Sequence, residues 1–226
     1  MPAAVRGRIK QICGMLDSTS IYRMELRIGD SSINILLGER GSTWTTPILQ
    51  SEEQATRAGI MSPKRRAEFE LVRFLKHQIF PTSLIEYNNL GRPRLHNRDE
   101  CIGISHSSNL GSFGYSGVEF GCDLEIKQDR FLLIGSRYTS KEDADLLNNL
   151  EERDRYAVLW VCKEAIYKLI NIKGVHWRDE CRLHKVQFPL CEFIVQTANY
   201  RKKVFCHVEE YESKAWFALA YHKNDA

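Results

Sequence analysis

The sequence predicts an α+β protein. Its strand-like and helix-like stretches are mixed without strict β-α alternation, which argues against a doubly wound parallel sheet. Val118 to Ile126 alternates apolar and polar residues with the period of a strand, whereas Ala67, Leu71 and Leu75 recur at i, i+4 and i+8 with the period of a helix. The last third of the chain is dominated by strand-like pieces.

Taken in order, weakly patterned strand-like residues occupy Tyr22 to Leu37. Ser62-Pro63 is an N-cap and N1 pair that opens a helix, and Phe69 and Val72 widen its apolar stripe. Asn88 to Pro93 is a turn signal. Short strands are expected at Cys101 to Ser105 and Val118 to Ile126. Between them, Leu110 to Gly117 carries three glycines and reads poorly as a strand. A helical region starts near Ser140, where Ser140 and Asp143 can form a capping box, and runs as two helices to Gly174, a C-cap glycine. Strands are expected at Lys185 to Val195, Lys203 to Tyr211 and Ala215 to Tyr221.

The composition narrows the class. Of 226 residues, 43% are hydrophobic and 27% charged, values of a globular chain that needs no staples to close its core. The 32 Lys and Arg against 29 Asp and Glu leave a net charge of +3, far from that of a dedicated nucleic-acid binder. The seven cysteines are odd in number and scattered without a Cys-x-x-Cys pair, as in a cytosolic protein with reduced thiols. Cys181, His184, Cys191, Cys206 and His207 lack the paired short spacing of a structural zinc site. Met1 to Gln11 has no apolar run of signal-peptide length, and no apolar run is long enough for a membrane helix, so a cytoplasmic protein is expected.

Four short patterns carry chemistry. Asp123 and Glu125 are two apart on a strand, so they share a face about 7 Å apart at their bases, and Gly121 leaves space beside them on that face. Taken alone, this is also the wet face of an amphipathic strand. If the face is enclosed, two like charges need a cation, and hard oxygen ligands suit Mg²⁺ or Mn²⁺. Trp160, Glu164 and Lys168 lie along one helix face, which can be a plain surface pair or a third carboxylate with an ammonium one turn away. Ser105 and His106 are neighbours on a strand, so their side chains diverge and do not make a nucleophile and base; hydroxyl and imidazole donors facing a phosphate fit better. Lys64, Arg65 and Arg66 crowd the positive end of a helix dipole, which makes sense where an anion binds.

In order along the chain stand Gly91-Arg92-Pro93, Ile104-Ser105-His106-Ser107, Gly121-Cys122-Asp123-Leu124-Glu125 and Trp160-x-x-Lys163-Glu164-Ala165-x-x-Lys168. This series resembles the motifs of the 4′-phosphopantetheinyl transferase superfamily, specifically its larger, pseudo-symmetric type whose prototype activates surfactin synthetase. The resemblance spans Gly91 to Lys168. It departs from the family at Gly103, where many relatives carry asparagine; at Cys122, in place of a β-branched residue; and in the glycines of 110–117.

The resemblance implies two similar α/β halves related by a pseudo-twofold axis, residues 1–104 and 105–226. The first half would contact the adenosine end and phosphates of coenzyme A, and the second would carry the metal-binding carboxylates and catalytic helix. It implies an Mg²⁺-dependent enzyme that transfers 4′-phosphopantetheine from coenzyme A to a serine of an apo acyl or peptidyl carrier protein, releasing adenosine 3′,5′-bisphosphate. Asp123, Glu125 and Glu164 would hold Mg²⁺, with Mn²⁺ as a substitute. Lys168 and His106 would contact the coenzyme's phosphates beside Ser105, and Arg65, Arg66 and Arg92 would hold the 3′-phosphorylated adenosine end. Glu164, or a water it positions, is the expected base. The implied partner is an acidic carrier protein met by a monomer, with no nucleic acid and no membrane. The alternatives are a non-catalytic carrier-binding homologue and a metal-dependent nuclease.

Overall fold

The computed structural model describes residues 7–10, 20–41 and 49–223. The chain divides into two compact units, Met1–Glu119 and Phe120–Ala226. The division expected at residue 104 falls inside a strand that is hydrogen-bonded on both sides, so the boundary lies fifteen residues later, in the bend before Phe120.

The first unit contains β1 (Gly7–Lys10), β2 (Ser20–Ile28), β3 (Ser31–Glu39), α1 (Ser51–Ala58), α2 (Pro63–His77), β4 (Ile85–Tyr87), β5 (Pro93–Leu95), β6 (Cys101–Ser107) and β7 (Leu110–Ser116). The strand-like stretch from Tyr22 breaks into β2 and β3 because Gly29, at φ 58°, turns the chain between them. The strands form one antiparallel sheet in the order β1-β2-β3-β7-β6-β5-β4. Ser62 caps α2 by accepting from the Arg65 amide at 3.4 Å, as its sequence requires. Leu71, Val72 and Leu75 are buried from this helix, and Val72 and Leu75 pack with Phe113, Ile102 and Leu36 from the sheet.

The glycines of 110–117 do not weaken β7, which lies near the middle of the sheet between β3 and β6. A Cβ at Gly111 would come within 2.9 Å of the Leu71 side chain, so the missing side chain lets α2 lie close on the strand. That packing requirement outweighs the low strand propensity of glycine.

The second unit contains β8 (Phe120–Ile126), α3 (Arg130–Tyr138), α4 (Lys141–Asp145), α5 (Glu152–Ile170), α6 (Trp177–Glu180), β9 (Cys181–Gln187), β10 (Leu190–Thr197), β11 (Tyr200–Tyr211) and β12 (Ala215–Tyr221). Its antiparallel sheet runs β8-β12-β11-β10-β9. Val158, Val161, Cys162, Ala165 and Leu169 of α5 pack on Val204, Cys206, Val208, Ala218 and Ala220 of the sheet. Helix α5 ends on Asn171, in the left-handed conformation at φ 51°, rather than on Gly174. Ser140 caps α4 through the Asp143 amide at 3.1 Å, but the Asp143 side chain turns inward instead of completing a capping box. Helix α3 was not anticipated, because Leu132 and Leu133 face solvent and spoil its apolar period.

Cys122, Cys162, Cys181, Cys191 and Cys206 are buried free thiols and Cys101 is half-buried, while Cys13 lies outside the described residues. Cys181, Cys191 and Cys206 face the α5 core, and His184 is largely exposed and His207 turns to Glu209, so these five residues do not converge. Among the described residues, no helix is long and apolar enough to cross a membrane.

Candidate active site

Gly121, Asp123 and Glu125 stand on one face of β8, as alternation requires. The space beside Gly121 is not open to a ligand, contrary to the sequence expectation. A Cβ there would meet the Ala165 carbonyl oxygen at 2.0 Å and the Leu169 amide at 2.6 Å, so α5 lies in backbone contact with β8. Across β12, the register partners of Gly121 and Asp123 are Ala220 and Ala218, both small. This close approach places Glu164 and Lys168, which flank Ala165 on α5, beside Asp123.

Lys168 Nζ donates to Asp123 Oδ1 at 2.8 Å and to the Cys122 carbonyl at 3.0 Å. Burial works against the Lys168 ammonium, yet the negative charge of Asp123, with a smaller contribution from Glu164, holds its pKa above the usual lysine value. Burial pushes the Glu164 carboxyl up; Asp123 and Glu125 push it further and Lys168 opposes them. Glu125 Oε2 lies 2.9 Å from Arg130 Nη2 at the start of α3. The structure thus brings Asp123, Glu125, Glu164 and Lys168 into one electrostatic cluster.

Among the described residues, no group of three or more His, Cys, Asp or Glu side chains is disposed to grip a metal ion. Asp123 and Glu125 are turned instead toward Lys168 and Arg130. The donor set nonetheless fits a hard divalent cation: three carboxylates on adjoining elements, two of which raise the pKa of the third. An ion held by Asp123, Glu125 and Glu164 would take over the countercharge that Lys168 and Arg130 supply here.

Trp160, on the same helix face by spacing, packs its ring 5.0 Å from Tyr138 and 6.2 Å from Phe131, so its role is to seat α3 and Tyr138 on α5. The sequence reading missed Lys163, one residue before Glu164. Its side chain is 3% exposed, and Nζ donates to the Tyr138 and Trp177 carbonyls at 2.8 Å each. Asp143 Oδ2 lies 3.7 Å away and Asp143 Oδ1 accepts from Arg182 Nε at 2.9 Å. A lysine inside an otherwise apolar helix stripe was the available signal. It anchors the turn of α5 that carries Glu164.

The remaining candidates lie in the first unit. Ser105 and His106 point to opposite faces of β6, with Ser105 buried and His106 exposed. Arg92 emerges from a turn closed by Asn88, whose Oδ1 accepts from the Leu90 and Arg92 amides at 2.9 Å each. Its Nη1 donates to Glu119 at 2.7 Å, and its Nη2 is buried without a hydrogen-bond partner. Arg65 is exposed, whereas Arg66 turns back to donate from Nη2 to the Ile60 carbonyl at 2.9 Å. The two arginines therefore part company. No protein-family model matches the chain, and no curated protein matches it.

Proposed function

We propose that the protein is a 4′-phosphopantetheinyl transferase that moves the phosphopantetheine group of coenzyme A onto a serine hydroxyl of an apo carrier protein. The observation that carries this reading is the contact of β8 with α5 at Gly121, which sets three carboxylates and Lys168 side by side. The two α/β halves expected of such an enzyme are supported by the units taken singly: each lays one long helix, α2 or α5, on an antiparallel sheet.

In the reaction, the carrier serine Oγ forms a bond to the phosphorus that bears pantetheine. The bond from that phosphorus to the bridging oxygen breaks, and its electron pair leaves with adenosine 3′,5′-bisphosphate. Glu164 takes the serine proton. Burial, with Asp123 and Glu125 beside it, raises its pKa above that of a solvated glutamate and so its basicity, whereas a bound cation would lower it. The Lys168 ammonium offsets charge on the phosphoryl oxygens. Asp123, Glu125 and Glu164 would hold Mg²⁺ or Mn²⁺, which supplies charge neutralisation at the pyrophosphate when bound. In the first unit, His106, Arg65 and Arg92 are the groups that serve the coenzyme's phosphates and adenosine end; Arg66 is turned to the Ile60 carbonyl and Ser105 is buried on the opposite face of β6.

An acidic carrier has a suitable docking element. Helix α3 exposes Leu133 at 81% and Leu132 at 39%, between Arg130 and Arg137. An apolar pair framed by cations complements an acidic amphipathic helix. The test is mass spectrometry of several apo carrier proteins incubated with coenzyme A, Mg²⁺ and the protein. A gain of one phosphopantetheine group on any carrier supports the reading. Tight carrier binding without a mass gain would instead favour a non-catalytic carrier binder.

A further inference from the structure

Glu68 occupies a position where the fold asks for an apolar residue. On α2, Glu68, Val72 and Leu75 follow one another at i, i+4 and i+7, the stripe that faces the sheet, and Val72 and Leu75 are core residues. The Glu68 side chain is 8% exposed. A carboxylate withdrawn from water needs a charged or hydrogen-bonded counterpart. Lys64, one turn earlier, reaches Oε1 only at 3.9 Å with a largely exposed side chain. The other counterpart comes from the sheet: His106 Nδ1 lies 3.4 Å from Glu68 Oε2.

Strand alternation explains the meeting. Ile102, Ile104 and His106 share the face of β6 that α2 covers, and Ile102 packs with Val72 and Leu75 while His106 lies past the end of that core. Facing His106 are the Glu68 carboxylate and, through it, the Lys64 ammonium of α2. Its register partner on β7 is Gly111, which carries no side chain, and Ile104 is the next residue on the same face of β6. His106 remains 39% exposed, so part of its side chain stays in reach of solvent.

We propose that Glu68 is a positioning residue for His106: it holds Nδ1–H and thereby presents Nε2, carrying a proton, to a phosphate of coenzyme A. The inference rests on the transferase reading for the identity of the ligand. A carboxylate on one imidazole nitrogen fixes the ring orientation and favours the imidazolium, which donates from both nitrogens.

The test follows the His106 ring by NMR titration of the full chain, its resonance assigned with His106→Gln, alongside calorimetric binding of coenzyme A. Glu68→Gln is expected to lower the apparent His106 pKa by about one unit, and Glu68→Asp to recover part of that loss. Coenzyme A binding to Glu68→Gln should weaken about tenfold near about pH 8, but only about twofold near about pH 5.5, where acid itself protonates the ring. If Glu68→Gln does not fold, Glu68→Asp carries the same test at smaller amplitude. An unchanged His106 titration, or a binding loss equal at both pH values, overturns the proposal. If the native chain does not bind coenzyme A, the transferase reading falls, and the titration alone decides whether Glu68 governs His106.

Discussion

Lys168 Nζ lies 2.8 Å from Asp123 Oδ1, joining the last turns of α5 to the middle of β8. A strand carboxylate and a helix ammonium meet at this distance because no side chain at Gly121 separates their backbones. Asp123→Ala removes both a proposed ion ligand and the partner of Lys168. Transfer should fall below about a thousandth of the native rate, and Lys168→Ala should lower it about a hundredfold or more. The mass of the carrier product over time measures both. Native-like rates in Asp123→Ala would remove the carboxylate cluster from the mechanism.

Gly121→Ala should be severe for a purely steric reason. The added methyl would fall 2.0 Å from a backbone oxygen of α5, which can yield only by moving the helix. Overpacking of this kind costs about 1–3 kcal/mol, and more where only backbone can give way. Urea unfolding should show the loss, and transfer should drop with it as Glu164 and Lys168 are displaced.

Lys163→Met should destabilise the second unit by about 3 kcal/mol or more, because it strands the Tyr138 and Trp177 carbonyls and takes a countercharge from buried Asp143. Burial already lowers the Lys163 pKa, so the ammonium is held by those oxygens against its own desolvation. Thermal unfolding of the variant checks the loss; a melting temperature equal to the native one would show that the anchor contributes nothing.

Acid stability should depend on Glu53. It is buried between α1 and α2, 2.9 Å from Lys76 Nζ and 3.1 Å from His77 Nε2, and it accepts from the Gln50 amide at 3.2 Å. Burial alone would raise its pKa, but the bonds from His77, Lys76 and Gln50 overcome this and bring it from 4.5 to about 2. A carboxyl whose folded pKa is depressed stabilises the fold above its unfolded pKa and loses that contribution as pH falls through the folded value. Burial lowers the Lys76 pKa in turn, which offsets part of the gain at neutral pH without changing the direction in acid. Stability should therefore fall by about 1–3 kcal/mol between about pH 5 and pH 2. In Glu53→Gln that part of the acid dependence should be absent, as urea midpoints across this range would reveal.

Local chemistry made part of the architecture legible in advance. The start of α2 was readable because Ser62 and Pro63 act on amides within a few residues, and the tail was readable as strands, although the piece expected from Lys185 to Val195 breaks into β9 and β10. The common face of Asp123 and Glu125 followed from alternation alone. Helix α3 escaped because two of its exposed residues are leucines, and β7 was doubted although its Gly111 answers to Leu71, far away in sequence. Lys163 stands in an otherwise apolar stripe of α5, but the oxygens of Tyr138, Asp143 and Trp177 that hold it come from other elements.

By itself, the sequence determined the kinds of groups available: three carboxylates and an ammonium at strand and helix spacings, a histidine closing a short strand, and cations at a helix start. Only the tertiary structure decided which of them meet. Gly121 is there for the backbone of α5 rather than for a ligand, and that contact delivers Glu164 and Lys168 to Asp123. Glu68 meets His106 because α2 lies on β6, a pairing set by the burial of Val72, Leu75 and Ile102. Spacing along the chain fixes a side chain's direction within its own element, whereas the packing of one element on another sets the distances on which charge and proton transfer depend.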